Sequence, residues 1–193
     1  IMPAVDEIDI EDLIEKEAVV ISLTKRGYIK RTPADQYKVQ QRGGKGIRGM
    51  TTKDDDYVSQ LYVVSTHDEI FFFTNQGRLY TLNAYNIPEG GRTSRGQAIV
   101  NLLQLEPDEI IEAMFPKNNL LSEGKQFVMM TKNGTLKKTE TSNFKNVRAN
   151  GIRAITLADD DELVAVRIAK KNDEILIVSL LYTSDAADDS LRV

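Results

Sequence analysis

The sequence predicts an all-β protein built from propeller-like, four-stranded blades, and three observations carry that expectation. A hairpin pattern occurs three times, at residues 19–30, 70–80 and 127–137: a β-rich run, a threonine, two polar residues, a glycine and a second short strand. A second glycine follows each hairpin glycine, 19 residues on from Gly27 and Gly77 and 17 on from Gly134. No segment sustains helical periodicity with caps. Units of about 50 residues holding about four strands are the size of propeller blades.

Taken in order, residues 1–17 are acidic with scattered Ile and Leu and read as a linker. Blade 1 is placed at 18–66, where the apolar strand beginning at Val19 turns at Gly27 and returns through Tyr28-Ile29-Lys30. Blade 2 follows at 67–118, with Ile70-Phe71-Phe72-Phe73 turning at Gly77, and blade 3 at 119–170, with Phe127-Val128-Met129-Met130 turning at Gly134. In each hairpin the glycine supplies the left-handed turn residue. The second glycines, Gly46, Gly96 and Gly151, precede another strand, an acidic turn and a further apolar run: 57–64, 110–115 and 163–168. A fourth blade starts at 171–179 and then loses the pattern: Tyr182 stands where a hairpin glycine belongs. Residues 180–193 show no strand pattern and resemble a translated sequencing-adapter read-through, so they are excluded from the fold. The expectation is about three blades of a larger disc, left incomplete.

The hydrophobic fraction of 41% and charged fraction of 28% are those of a soluble globular protein. There is no cysteine, hence no disulfide framework and no thiolate metal site, which fits a reducing cytoplasm. No apolar run approaches bilayer length, and the start lacks the features of a signal peptide. Net charge is −4, yet residues 19–53 hold nine cations against Asp35 alone, a local excess of +8. The acids are gathered elsewhere, at 6–17, 54–56, 106–109 and 159–162. Such segregation permits a basic face on an acidic body, and local field rather than total charge decides whether a polyanion is attracted.

The most informative stretch is Gln40-Gln41-Arg42-Gly43-Gly44-Lys45-Gly46, followed by Ile47-Arg48. Its glycines free the backbone to approach another surface. Its cations and amides make it suited to a phosphate backbone, or else a solvated hairpin. It is not a nucleotide P-loop, since no Ser or Thr follows Lys45. Each unit also places cations at its turns: Lys25, Arg26, Lys30 and Arg31; Arg78, Arg92 and Arg95; Lys132, Lys137, Lys138, Arg148 and Arg153. Blades related by rotation would line these up as a belt on the rim, against the plainer alternative that they solvate outward faces. With no helix to enter a major groove, phosphate contact and DNA bending fit better than base reading.

The remaining candidates carry less. Asp54-Asp55-Asp56 and Asp159-Asp160-Asp161 lack calcium-loop spacing and read as acidic turns, so no metal is assigned. His67 has no catalytic partner nearby in sequence and reads as structural. Phe71, Phe72, Phe73, Phe127 and Phe144 read as core. Nothing assembles a nucleophile, a base and an oxyanion site, so no catalytic residue is assigned.

Residues 40–46 resemble the seven-residue box of the DNA gyrase A C-terminal domain family, Gln-Arg/Lys-Arg-Gly-Gly-Lys-Gly; six positions fit and Gln41 replaces a cation. Gly27-Tyr28-Ile29-Lys30-Arg31 and Gly49-Met50-Thr51-Thr52-Lys53 also resemble that family, and the similarity runs over about 11–179. The resemblance implies a β-pinwheel disc that wraps double-stranded DNA around its edge without sequence preference. It implies a role in giving direction to negative supercoiling, with the box linking first and last blades. It also implies partners in the rest of the gyrase A polypeptide and in the gyrase B polypeptide, which together form a heterotetramer in the bacterial cytoplasm at the nucleoid, with no membrane. This part would carry no cofactor; ATP and magnesium belong elsewhere in the holoenzyme. The alternatives are the C-terminal domain of the topoisomerase IV A polypeptide, whose box is usually degenerate, and a propeller-like protein-interaction scaffold.

Overall fold

The computed structural model describes residues 10–37, 56–118, 120, 121 and 124–175. Eleven strands in this region form three antiparallel sheets, and the only helical elements among the described residues are short 3-10 turns. The first sheet has the order β3-β1-β2-β6, from β1 (Ala18–Thr24), β2 (Tyr28–Pro33), β3 (Val58–Ser65) and β6 (Gln97–Ala98). The second has the order β10-β5-β4-β7, from β4 (Glu69–Thr74), β5 (Arg78–Asn83), β7 (Ile111–Pro116) and β10 (Ile152–Arg153). The third holds β11-β8-β9, from β8 (Lys125–Thr131), β9 (Leu136–Glu140) and β11 (Leu163–Lys170).

The sequence places all four strands of a blade within one unit, and here the structure differs. The fourth strand of each complete sheet comes from the following unit: β6 pairs with β2, with Tyr28 opposite Ala98 and Ile29 opposite Gln97. In the same way β10 pairs with β5, with Ile152 opposite Leu79 and Arg153 opposite Arg78. Neighbouring blades are thus stitched by backbone hydrogen bonds as well as by side-chain packing.

Burial follows from where each sheet sits. In β1, Val19, Ile21 and Leu23 point into a core shared with Ile70, Phe72, Tyr80 and Met114 of the second sheet. The middle sheet is covered on both faces, so its central strand β4 must be apolar at every inward position. Ile70 and Phe72 enter this first core, whereas Phe71 and Phe73 enter a second one with Phe115, Phe127, Met129, Phe144 and Val166. That alternation explains why Ile70-Phe71-Phe72-Phe73 is a continuous apolar run. Phe73 meets Phe115, Phe127 and Phe144 edge to face, its centroid 4.9 Å from that of Phe127, so these aromatics are core.

Part of the acidic N-terminal segment is tied down. Thr66 Oγ1 donates to the Glu15 carbonyl (2.8 Å), the Thr66 amide donates to the Glu17 carbonyl, and His67 Nε2 lies 2.8 Å from the Ile14 carbonyl. His67 also packs edge-on against Tyr85, so the lone histidine anchors this segment to the blades.

Candidate nucleic-acid interface

Each hairpin is built by the same chemistry. Gly27, Gly77 and Gly134 have φ of +80°, +74° and +87°, a region unfavourable to residues with a Cβ. The threonine three residues earlier accepts the amide of the residue after the glycine: Thr24 from Tyr28, Thr74 from Arg78 and Thr131 from Thr135, all at 3.1–3.2 Å. The acidic turns complete these tips. Asp56 Oδ1 accepts from the Arg26 amide and Asp161 Oδ1 from the Asn133 amide, at 3.0 and 2.9 Å. Hydrogen bonds from Thr131 and nearby backbone amides hold the Asp161 carboxyl below its ordinary range. In the middle blade Glu109, buried, accepts from Thr74 Oγ1, Tyr80 Oη and the Glu106 amide. These carboxylates serve turns, and among the described residues no three His, Cys, Asp or Glu side chains converge.

The second glycines sit where blades meet. A Cβ on Gly96 would stand 2.5 Å from the Ile29 carbonyl oxygen, and one on Gly151 would stand 2.7 Å from the Tyr80 ring. Both also have positive φ. Only glycine lets the chain pass this close to the preceding blade, and the seam strands β6 and β10 start immediately afterwards.

The cations distribute unevenly over this framework. Gln40, Gln41, Arg42, Gly43, Gly44, Lys45, Gly46 and Arg48 lie outside the described residues. Lys25, Arg26, Lys132, Lys137, Lys138, Arg148 and Arg153 are exposed. Lys25 is 3.4 Å from Glu112, and Lys137 Nζ donates to the Ala154 carbonyl. Arg78 is held by Glu106 (3.3 Å) and the Asn150 carbonyl (2.5 Å). It faces Arg153 across the β5–β10 seam, and the two line one cavity with Gln76, Gly151 and Ile152. Like charges directly opposite repel unless an anion or other partner intervenes.

A second cluster forms on the first sheet around residues 88–96. Arg95 stacks on the Tyr28 ring with its guanidinium carbon 3.6 Å from the centroid, Arg92 Nη1 reaches the Gln36 carbonyl, and Arg31 reaches Glu89 at 3.5 Å. The Nε atoms of Arg31, Arg92 and Arg95 are shielded yet have no hydrogen-bond partner among the described residues. Lys30 departs from the expectation of an outward cation. It is fully buried, and its ammonium donates to the carbonyls of Gly91, Arg92 and Ser94 at 3.0, 2.6 and 3.0 Å. Burial pushes its pKa down. All three N–H donors are spent, leaving none for a phosphate.

Comparison with known proteins then fixes the family. The family model described as "DNA gyrase C-terminal domain, beta-propeller" matches residues 18–65, 68–116 and 125–170. The chain belongs to the DNA gyrase C-terminal domain family. The A subunit of DNA gyrase from Clostridium acetobutylicum is 54% identical over 176 residues, covering 91% of this chain and 21% of that protein. The chain therefore spans about a fifth of the length of such relatives. Among solved structures, a DNA topoisomerase IV C-terminal domain superposes with a TM-score of 0.70 at 29% identity, over 82% of this chain and 47% of that one. A DNA gyrase A C-terminal domain superposes with a TM-score of 0.59 at 32% identity, over 80% and 49%. The all-β, blade-forming architecture read from the sequence is the architecture of this family. The pairing of Arg95 with Tyr28 was not legible in the sequence; the one signal was an aromatic residue directly after a hairpin glycine.

Proposed function

We propose that this chain is a sequence-independent DNA-binding and DNA-wrapping domain of a gyrase A polypeptide, acting on double-stranded DNA through phosphate contacts. The observation that carries this is the match of all three units to the gyrase C-terminal domain, in a chain holding a near-complete box at 40–46. The contacts we assign are the box cations Arg42 and Lys45, Arg48, and the exposed or half-exposed turn cations of the three blades. Bending 20–30 base pairs by 40–90° costs on the order of 1–6 kcal/mol, which many distributed contacts offset. Within the holoenzyme, wrapping would present a crossed duplex for strand passage and so set the direction of ATP-dependent negative supercoiling. The cleaving tyrosine, the magnesium and ATP sites, and the gyrase B polypeptide belong to that larger heterotetramer in the bacterial cytoplasm. Against the topoisomerase IV alternative stands the 54% identity to the Clostridium acetobutylicum gyrase A subunit, while the two solved domains differ little, at 29% for topoisomerase IV and 32% for gyrase.

The test is DNA binding measured over a range of salt. With about six of the assigned cations on phosphate at one time, log K falls with log salt at a slope near −5. Arg42→Ala with Lys45→Ala is expected to weaken binding on any DNA sequence and to flatten that slope by about 1.8. Unchanged affinity and slope in the double variant would contradict the assignment of the box. Failure of the unaltered chain to shift DNA at low salt would favour a protein-interaction scaffold.

A further inference from the structure

The segment 88–96 belongs to the second unit but lies on β2 of the first. The Arg31 amide donates to the Pro88 carbonyl (2.9 Å), and the Gly90 amide donates back to the Arg31 carbonyl (2.8 Å). Thr32 Oγ1 donates to the Gly90 carbonyl at 2.9 Å. The buried Lys30 ammonium then gathers three more carbonyls from residues 91, 92 and 94. Without that cation, three carbonyl dipoles converging on one point would repel each other and be left unsatisfied. A compact ammonium with three rotatable donors suits such a cradle; a planar guanidinium does not. Glycine at 96 keeps the chain close, since a Cβ there would stand 2.5 Å from the Ile29 carbonyl oxygen and 3.1 Å from Lys30 Cβ.

Arg92 and Arg95 both lie half-buried on this segment, Arg92 bonded to the Gln36 carbonyl and Arg95 stacked on Tyr28, each with a shielded Nε that has no partner among the described residues. We infer that Lys30 is a positioning residue: it locks the 88–96 segment across the blade seam so that Arg92 and Arg95 form a pre-organised phosphate clamp, while touching no DNA itself. This rests on the DNA-binding reading above and gives one residue of it a different role. Fixing two guanidinium groups before DNA arrives removes an ordering cost that would otherwise weaken the contact.

The experiment is a double-mutant cycle on DNA binding by the whole chain, read as affinity and salt slope. Lys30→Met and Arg92→Ala/Arg95→Ala are made separately and together, each with a thermal melt. The clamp variant is expected to bind roughly tenfold or more weakly and to flatten the slope by about 1.8, two phosphate contacts. Lys30→Met alone should reproduce most of that flattening, where loss of one direct contact gives only about 0.9. Added to the clamp variant, it should change neither affinity nor slope further. Lys30→Arg, which keeps the charge, should bind like Lys30→Met, and Thr32→Val should weaken binding in the same direction.

Full affinity in Lys30→Arg, or a Lys30→Met effect that persists in the clamp variant, would overturn the positioning role. So would full affinity in Lys30→Met itself. If the clamp variant alone binds normally, the inference falls with the assignment of this loop to DNA. The box variant, tested in parallel, then shows whether the wider reading survives.

Discussion

At the scale of single residues, the chain is constrained most where a side chain is missing. Gly96 and Gly151 combine positive φ with an approach to the neighbouring blade that no Cβ tolerates. Gly151→Ala should lower stability by about 2–4 kcal/mol, read as a fall in denaturant midpoint, because strain in the left-handed region adds to a clash with the Tyr80 ring. Gly134→Ala, with no heavy atom within 4 Å of the added Cβ, should cost only the backbone strain, about 1 kcal/mol. Tyr80 supplies a pH signature. Burial first, and then its hydrogen bond to Glu109, push its pKa from 10.0 up to about 12. A proton held more tightly in the folded state stabilises it fully below the unfolded pKa. That stability is lost as pH rises through the folded value. Melting temperature should therefore fall between about pH 10 and 12, and Tyr80→Phe should fall less steeply there despite lower stability at neutral pH. The spacing of these glycines was visible in the sequence, but the reason for the second one was not: its contact lies across a seam that spacing alone does not define. For Lys30 the sequence misled, because a lysine three residues after a turn glycine usually faces water.

Elements show the same division. The three hairpins were legible because the threonine and glycine are a local code: the threonine hydroxyl accepts the amide four residues on, and the glycine amide donates back to the threonine carbonyl. Removing the hydroxyl tests it. Thr24→Val should cost about 1 kcal/mol, the net value of one hydrogen bond. Thr74→Val should cost more, roughly 1–3 kcal/mol, since it also strips a donor from the buried Glu109 carboxylate. Thermal denaturation of the two variants side by side checks the order. Strand exchange was not legible, because β6 and β10 are two residues long and their partners lie about 70 residues earlier in the chain. Short strands carry no periodicity, and long-range pairing leaves no local trace.

For the molecule as a whole, the sheets are coupled through two cores and two shared seams, so the blades should melt together. Phe73→Ala removes a ring packed against Phe115, Phe127 and Phe144. A loss of about 3–5 kcal/mol is expected, with one transition rather than separate ones. Calorimetry distinguishes the two. On the outer surface, the proposed contacts with a duplex are cations gathered at turns on a net-acidic body. The most direct measurement is of DNA topology: nicked circles are sealed by ligase with increasing amounts of the chain, and their linking numbers are compared after its removal. A distribution that shifts in proportion to bound protein, and returns to the control at high salt or with Arg42→Ala/Lys45→Ala, is the predicted result; an unshifted distribution at saturating protein would contradict the account.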